Sequence, residues 1–251
     1  MVGSMLPISV IVSVYNRLDY LRKALISIAS QSVMPSEVII CDDGSSEPTV
    51  ASLKTMVSEV PFSIRVVRQE DRGFRLARSK NNGIRLATND FLVFWDQDVI
   101  GTRGYLETYW NNRKHGRFVV AYPVRLTPEQ TEMVSETRIR SGKFGDILAS
   151  EQIAQIRRQH RKDMFYYYVR KILGRKYARP KLRGGFFAAF KRDLIEVNGF
   201  DENYQGWGNE DDDLGRRLYA IGVVGYNPFC DEFPLHMYLS LIHISEPTRP
   251  Y

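Results

Sequence analysis

Phe91-Leu92-Val93-Phe94-Trp95-Asp96-Gln97-Asp98 is an apolar run that stops abruptly on two carboxylates. Five apolar residues without polar alternation suit a strand covered on both faces, the habit of parallel sheets. Upstream, residues 8–14 form a mostly β-branched run of the same kind. Residues 37–41 form another, ending at Asp42-Asp43-Gly44-Ser45. Leu18, Leu21, Leu25 and Ile28 recur at helical spacing and make one apolar stripe. A helix over about 48–59, a strand over 63–67 and a helix over 76–87 complete the alternation. Strands alternating with helices through short polar turns predict an α/β fold built on one doubly wound, mostly parallel sheet. Such sheets bind ligands at the carboxyl ends of their strands, so the two Asp-rich turns should share one cleft.

Beyond Gly101 the pattern loosens. It predicts a helix over 105–115, strands over 118–124 and 186–190, and a short helix over 193–197 closed by Asn198-Gly199. A last helix over 210–220 is closed by Gly222. The segment 127–183 reads as helical around 151–161 and 164–173, and it carries most of the charge. From 138 to 183, 14 Lys and Arg residues face three acids, a local balance of +11 in a chain whose net charge is +6. A basic insertion therefore sits on an acidic body. The expected organisation is one domain over 5–238 with that insertion at 127–183. From Leu239 the chain reads Leu-Ser-Leu-Ile-His-Ile-Ser-Glu-Pro-Thr-Arg-Pro-Tyr, which resembles the translation of a sequencing-adapter oligonucleotide. Residues 239–251 are expected to be a non-native tail in place of a truncated C-terminus, which removes His243 from consideration.

Length and composition narrow the class. A chain of 251 residues that is 43% hydrophobic and 25% charged can bury a core, which excludes disordered, collagen-like and coiled-coil architectures. No apolar run reaches the roughly 18 residues of a membrane-spanning helix. Residues 5–15 lack a basic leader and read as a strand. Two cysteines, Cys41 and Cys230, cannot form a disulfide framework, which points to a reducing, cytoplasmic setting.

Asp96 and Asp98, one residue apart at a strand end, can share a hard cation and a ribose; Mg²⁺ and Mn²⁺ prefer such oxygen ligands. Taken singly, an Asp-x-Asp turn or an Asp-Asp-Gly turn is ordinary turn chemistry. Both at neighbouring strand ends say more. Near the C-terminus stands Gly206-Trp207-Gly208-Asn209-Glu210-Asp211-Asp212-Asp213. Four acids opening a helix can simply complement its dipole. An aromatic between two glycines just ahead of them instead suits a sugar, whose apolar face stacks while its hydroxyls donate to carboxylates.

Residues 8–17, Asp42-Asp43-Gly44-Ser45, the Ala77-Arg78-Ser79-Lys80-Asn81-Asn82-Gly83 stretch and Asp96-Gln97-Asp98 together resemble family 2 glycosyltransferases of GT-A fold. Gly184-Gly185-Phe186, Gly199-Phe200-Asp201-Glu202 and Gly206-Trp207-Gly208-Asn209-Glu210-Asp211 are similar to the family's second half. The last also resembles β-1,4-galactosyltransferases and chondroitin-polymerase-type enzymes. The resemblance implies an inverting, metal-dependent transferase acting on a nucleotide-sugar donor, UDP-linked, in cell-surface polysaccharide synthesis. By it, Tyr15 would stack on uracil, Asp43 would accept from the ring N–H, and Arg78 would lie near the diphosphate. Asp96 would meet the ribose or a metal-bound water, and Asp98 with His236 would hold Mn²⁺ or Mg²⁺. Gly185 would let backbone approach the donor sugar. Trp207 and Glu210 would shape the acceptor pocket, and Asp211 would be the general base.

The basic segment, with Phe165-Tyr166-Tyr167-Tyr168 inside it, fits an anionic membrane surface or a phosphate-bearing glycolipid acceptor. Nucleic acid is the weaker reading, and a solvated helical face over a core-facing aromatic stripe is the plain structural one. Two other functions compete: a sugar nucleotidyltransferase, and a non-catalytic sugar- or lipid-binding module. The first would want a Gly-rich basic loop after the first strand, which residues 15–18 do not supply.

Overall fold

The buried half of β1 (Ser4–Val14) organises a central sheet, and it does so by presenting alternate side chains to two separate cores. The computed structural model describes residues 4–46, 51–52, 60–173, 178–204, 206 and 208–239. In chain order, β1 is followed by α1 (Leu18–Ala29), β2 (Val33–Asp42), β3 (Ser63–Arg68), α2 (Leu76–Leu86), β4 (Phe91–Asp96) and β5 (Val99–Gly101). Then come α3 (Tyr105–Asn111), β6 (Arg117–Val120), β7 (Val124–Arg125), α4 (Pro128–Glu132), α5 (Glu136–Ser141) and α6 (Ser150–Leu173). The described chain closes with β8 (Phe187–Phe190), α7 (Lys191–Glu196), α8 (Glu210–Ala220), β9 (Val224–Tyr226) and β10 (Pro234–His236).

Seven strands form the main sheet in the order β3-β2-β1-β4-β8-β6-β9. Its pairings are parallel except those of β8, which runs antiparallel to β4 and β6. Ile8, Val10, Val12 and Val14 face a core completed by Leu21, Leu25 and Ile28 of α1 and by Tyr105 and Tyr109 of α3. Ile11 faces the other side, against Ala77 and Ile84 of α2 and Leu214 and Leu218 of α8. The expected doubly wound sheet is therefore present. Parallel register sets Val14 beside Asp42 and Ser13 beside Asp96, so the polar turns after β1, β2 and β4 emerge at one level.

Three features depart from the sequence pattern. The strand expected over 118–124 is split into β6 and β7 around Tyr122-Pro123, where proline offers no ladder donor. Strands β5, β10 and β7 make a second, three-stranded sheet, which adds to the single sheet expected. Two- and three-residue strands are too short to show a period. Third, the two helical stretches expected over 151–173 are one continuous helix, α6. The helix expected over 48–59 lies mostly outside the described residues, as do residues 240–251.

Helix α6 sets Ile156 and Ile153 into an apolar cluster near its start and is held further along by polar and aromatic contacts. Its Asp163 is 2% exposed and accepts from Gln159 Nε2 at 3.0 Å and from Asn227 Nδ2 at 2.9 Å. His160 Nδ1 lies 2.9 Å from the Asn227 carbonyl. Tyr167 packs edge-on against Tyr226, and Arg117 donates to its hydroxyl at 2.7 Å while lying over the Tyr226 ring. Phe165, Tyr168 and Ile172 point the other way and are 64%, 50% and 75% exposed. The aromatic run is thus divided between core and solvent. Burial raises the Asp163 carboxyl above its ordinary value, against the pull of its amide donors. Asp163→Ala should strand the Asn227 amide and cost about 1–3 kcal/mol, read as a lower urea midpoint with an unchanged slope.

Candidate functional site

The turn that follows β1 is fixed by the turn that follows β4. The Tyr15 N–H donates to Gln97 Oε1 at 3.2 Å, and Gln97 Nε2 donates back to the Tyr15 carbonyl at 3.1 Å. The Tyr15 hydroxyl donates to Asp71 Oδ2 at 3.1 Å, which leaves a half-buried ring at the mouth of the sheet. Asn16 and Arg17, at φ of 53° and 57°, turn the chain from strand into helix. The Asn16 N–H donates to Ser45 Oγ at 2.8 Å, joining this turn to the one after β2. In that second turn Asp43 is 3% exposed; it accepts from Gln69 Nε2 at 2.5 Å and from the Arg75 N–H at 3.1 Å. Tyr15 and Asp43 accordingly stand just beyond the ends of adjacent strands.

The second sheet brings the next pair together. Pairing of β10 with β5 sets His236 opposite Val99, and His236 Nε2 lies 3.0 Å from Asp98 Oδ2. Burial alone would lower the imidazole's affinity for a proton, but the Asp98 hydrogen bond and charge outweigh it and raise His236 above its ordinary value. Asp98 Oδ1 and Asp96 Oδ1 are buried without a hydrogen-bond partner. Orphaned carboxylate oxygens beside an imidazole are the donor set a hard or borderline divalent cation takes. Among the described residues no group of three or more His, Cys, Asp or Glu side chains is placed to hold a metal ion. Asp98 and His236, with Asp96 nearby, would suit a hard cation only if ligand phosphate or water supplied the remaining oxygens.

Gly184-Gly185 separates these carboxylates from the acidic start of α8. A Cβ on Gly185 would stand 2.0 Å from Asp96 Oδ2, so any side chain here would have to push the Asp96 carboxylate aside. The Gly184 N–H donates to Asp211 Oδ2 at 3.2 Å. A Cβ on Gly184 would come within 3.4 Å of Asp211 Cβ and 3.7 Å of Glu210 Oε1. The four acids divide here. Asp212 accepts from Arg216 at 2.9 Å and pairs with Lys181, and Asp213 accepts from Arg217 at 2.8 Å. Glu210 and Asp211 stand toward the Gly184 turn. Burial raises the Glu210 carboxyl above its ordinary value, although Lys80 pulls it down.

The remaining expected residues fall as follows. Arg78 is largely exposed, and its guanidinium stands 4.0 Å from Glu202. Trp207 lies outside the described residues; its neighbours Gly206 and Gly208 have left-handed φ of 87° and 104°. Cys41 is buried in the core with its thiol pushed up to about 12 by burial. Three side chains at the site go beyond the sequence reading: Gln97, Gln69 and Lys80. Lys80 is 1% exposed, donates to the Gly184 carbonyl at 3.0 Å and stands 3.6 Å from Asp96 Oδ1. One signal for it was available, since Ala77, Lys80 and Ile84 share a helical stripe on which a lysine is out of place.

Residues 9–197 match the family model described as glycosyl transferase family 2, and residues 166–238 match that of the N-terminal domain of galactosyltransferase. A validoxylamine A glucosyltransferase of Streptomyces hygroscopicus subsp. limoneus is 28% identical, covering 86% of this chain and 48% of its own length. Chondroitin synthase of Escherichia coli is 26% identical over 86% of this chain and 32% of its own. The chain spans about half the length of the first of these relatives, and less of the second. The structure of GalNAc-T7 with UDP, GalNAc and Mn²⁺ aligns with a TM-score of 0.63 at 15% identity, covering 94% of this chain and 44% of that one. The fold is thereby that of GT-A glycosyltransferases.

A carboxyl whose value is raised on folding takes up protons as the chain folds, so its cost is present above the folded value and vanishes below the unfolded one. Glu210→Gln should therefore stabilise the protein at neutral pH, with the gain fading as pH falls from the raised folded value to the ordinary carboxylate value near 4. Paired thermal melts across that range would show curves that converge at acid pH.

Proposed function

Because the chain belongs to glycosyl transferase family 2, we propose that its domain, residues 5–238, transfers a hexose with inversion from a UDP-linked donor to a hydroxyl of a glycan or glycolipid. One observation carries this reading. The Gly184-Gly185 turn has Asp96 against one glycine and Asp211 bonded to the other, so a donor-side carboxylate and a candidate base face each other across a single dipeptide. Family membership sets the nucleotidyltransferase alternative aside. A binding module without catalysis would have no use for a carboxylate pair so disposed.

In this proposal the Tyr15 ring stacks on the base, and Asp43 receives the base N–H. Asp96 faces the ribose. Asp98 and His236 hold Mn²⁺ or Mg²⁺, which when bound supplies charge neutralisation to the departing diphosphate. Gly185 admits the donor sugar close to the backbone, and Glu210, with Trp207, borders the acceptor. Asp211 takes the proton from the acceptor hydroxyl as that oxygen bonds to the anomeric carbon and the bond to UDP breaks. One base and no enzyme nucleophile give a single displacement, hence inversion, through an oxocarbenium-like transition state. The Mn²⁺-containing structural neighbour and the relation to a polysaccharide synthase support a metal-dependent enzyme of cell-surface glycan assembly.

The exposed face of α6 supports a membrane role. Arg158, Arg161 and Lys162 share it with Phe165, Tyr168 and Ile172, and exposed Lys171 stands near its end, a basic and apolar mixture that suits an anionic bilayer surface better than nucleic acid. No described helix is long and apolar enough to cross a membrane. The proposed location is cytoplasmic and peripheral, on the inner face of the membrane.

Four outcomes test this reading. Asp98→Ala should abolish the Mn²⁺ dependence of UDP binding in calorimetry, and GDP in place of UDP should bind more weakly to the parent. Asp211→Asn should keep UDP binding but lower kcat for sugar transfer by about 10²–10⁴-fold with little change in KM; a near-parental rate would remove Asp211 as the base. Charge removal at Arg161, Lys162 and Lys171 should cut affinity for phosphatidylglycerol vesicles by about 3 kcal/mol and leave UDP affinity unchanged.

A further inference from the structure

Lys80 is the one lysine or arginine among the described residues that the fold buries almost completely. It projects from α2 on the face that also carries Ala77 and Ile84. Its ammonium lies 5.6 Å from the centre of the Phe200 ring, whose face attracts cations. A buried charge is costly unless it is paired and hydrogen-bonded. Its hydrogen-bond and ion-pair partners both lie at the site: the Gly184 carbonyl at 3.0 Å and Asp96 Oδ1 at 3.6 Å. Glu210 feels the same charge, which pulls its carboxyl downward.

The Asp96 arm is an ion pair beyond hydrogen-bond length, and Asp96 Oδ1 has no hydrogen-bond partner. That oxygen is held in place by charge while still able to accept from a ligand. The Gly184 arm continues onward, because the N–H of the same residue is bonded to Asp211. One ammonium is thus linked to the carboxylate at the end of β4 and, through a single residue, to the first turn of α8. The partners lie 16 and 104 residues from it in sequence.

We propose that Lys80 is a positioning residue for sugar transfer, clamping the Asp96 carboxylate to the Gly184 carbonyl and so keeping the donor side in register with Asp211. This rests on the proposed function for its catalytic meaning, whereas the clamp itself is a property of the fold. A misplacement of about 1 Å at reacting groups can cost roughly a hundredfold in rate, and a turn with a glycine pair has little stiffness of its own.

The test uses Lys80→Met, which keeps an apolar stem, and Lys80→Gln, which keeps a donor for Gly184 but removes the charge. Hydrogen exchange of the Gly184–Phe186 amides should accelerate in Lys80→Met while the amides of β1 and β4 keep their protection. UDP release from a panel of UDP-sugars should fall about 10–100-fold in kcat in both variants, with donor KM within about threefold of the parent. Lys80→Arg should recover part of that loss. Unchanged exchange at 184–186 in a folded variant overturns the clamp. Parental kcat in folded Lys80→Gln or Lys80→Met overturns the positioning role, and so does a Lys80→Arg enzyme as slow as Lys80→Met. If the parent releases UDP from no donor, the glycosyltransferase reading fails, and the exchange measurement still decides whether Lys80 holds the turn.

Discussion

The parallel register of β1 with β2 and β4 is the constraint on which everything else rests. Parallel strands end at a common edge, and the residues beyond them are released from the ladder at the same height. Val14 lies beside Asp42 and Ser13 beside Asp96, so Tyr15, Asp43 and the Asp96-Gln97-Asp98 turn need only short excursions to converge. A slip of one residue would exchange the two faces of β1 and set Val10 and Val12 against the wrong core. The fit of each face of β1 to its own core therefore enforces the alignment of the polar groups beyond the strand ends.

The other half of the cleft is built differently. Glycines, rather than strand ends, let Asp96 and Asp211 approach a shared stretch of backbone. The acidic opening of α8 is then sorted by basic partners. Asp212 and Asp213 are neutralised one turn along the helix by Arg216 and Arg217, while Glu210 and Asp211 remain with the cleft. The crowding is uneven in energy: burial works against the charge on Glu210, and Lys80 offsets part of that. The concentrated negative charge is tolerable because an ammonium, that of Lys80, is buried among it.

Much of this was legible in the chain. The long apolar runs marked the sheet, and the Asp-rich turns after them marked the edge at which they converge, because both signals are local. The separation of the four acids was also readable: Asp212-Arg216 and Asp213-Arg217 are spaced as helical ion pairs. What could not be read were β5, β7 and β10, whose two or three residues carry no period, although they alone carry His236 to Asp98. The inward direction of Gln97 was hidden too, since its role depends on the backbone of Tyr15, 82 residues away. Contacts set by long-range topology leave no trace in a local pattern.

That distance bears on the order in which the molecule is assembled. His236 joins a partner 138 residues earlier in the chain, which at about 5–20 residues per second is roughly 7–28 s of synthesis. A ribosome-bound chain can already have laid down β1, β2 and β4 with the turns that follow them. At that stage Asp98 still lacks the His236 imidazole, and the second sheet closes only once β10 has been made.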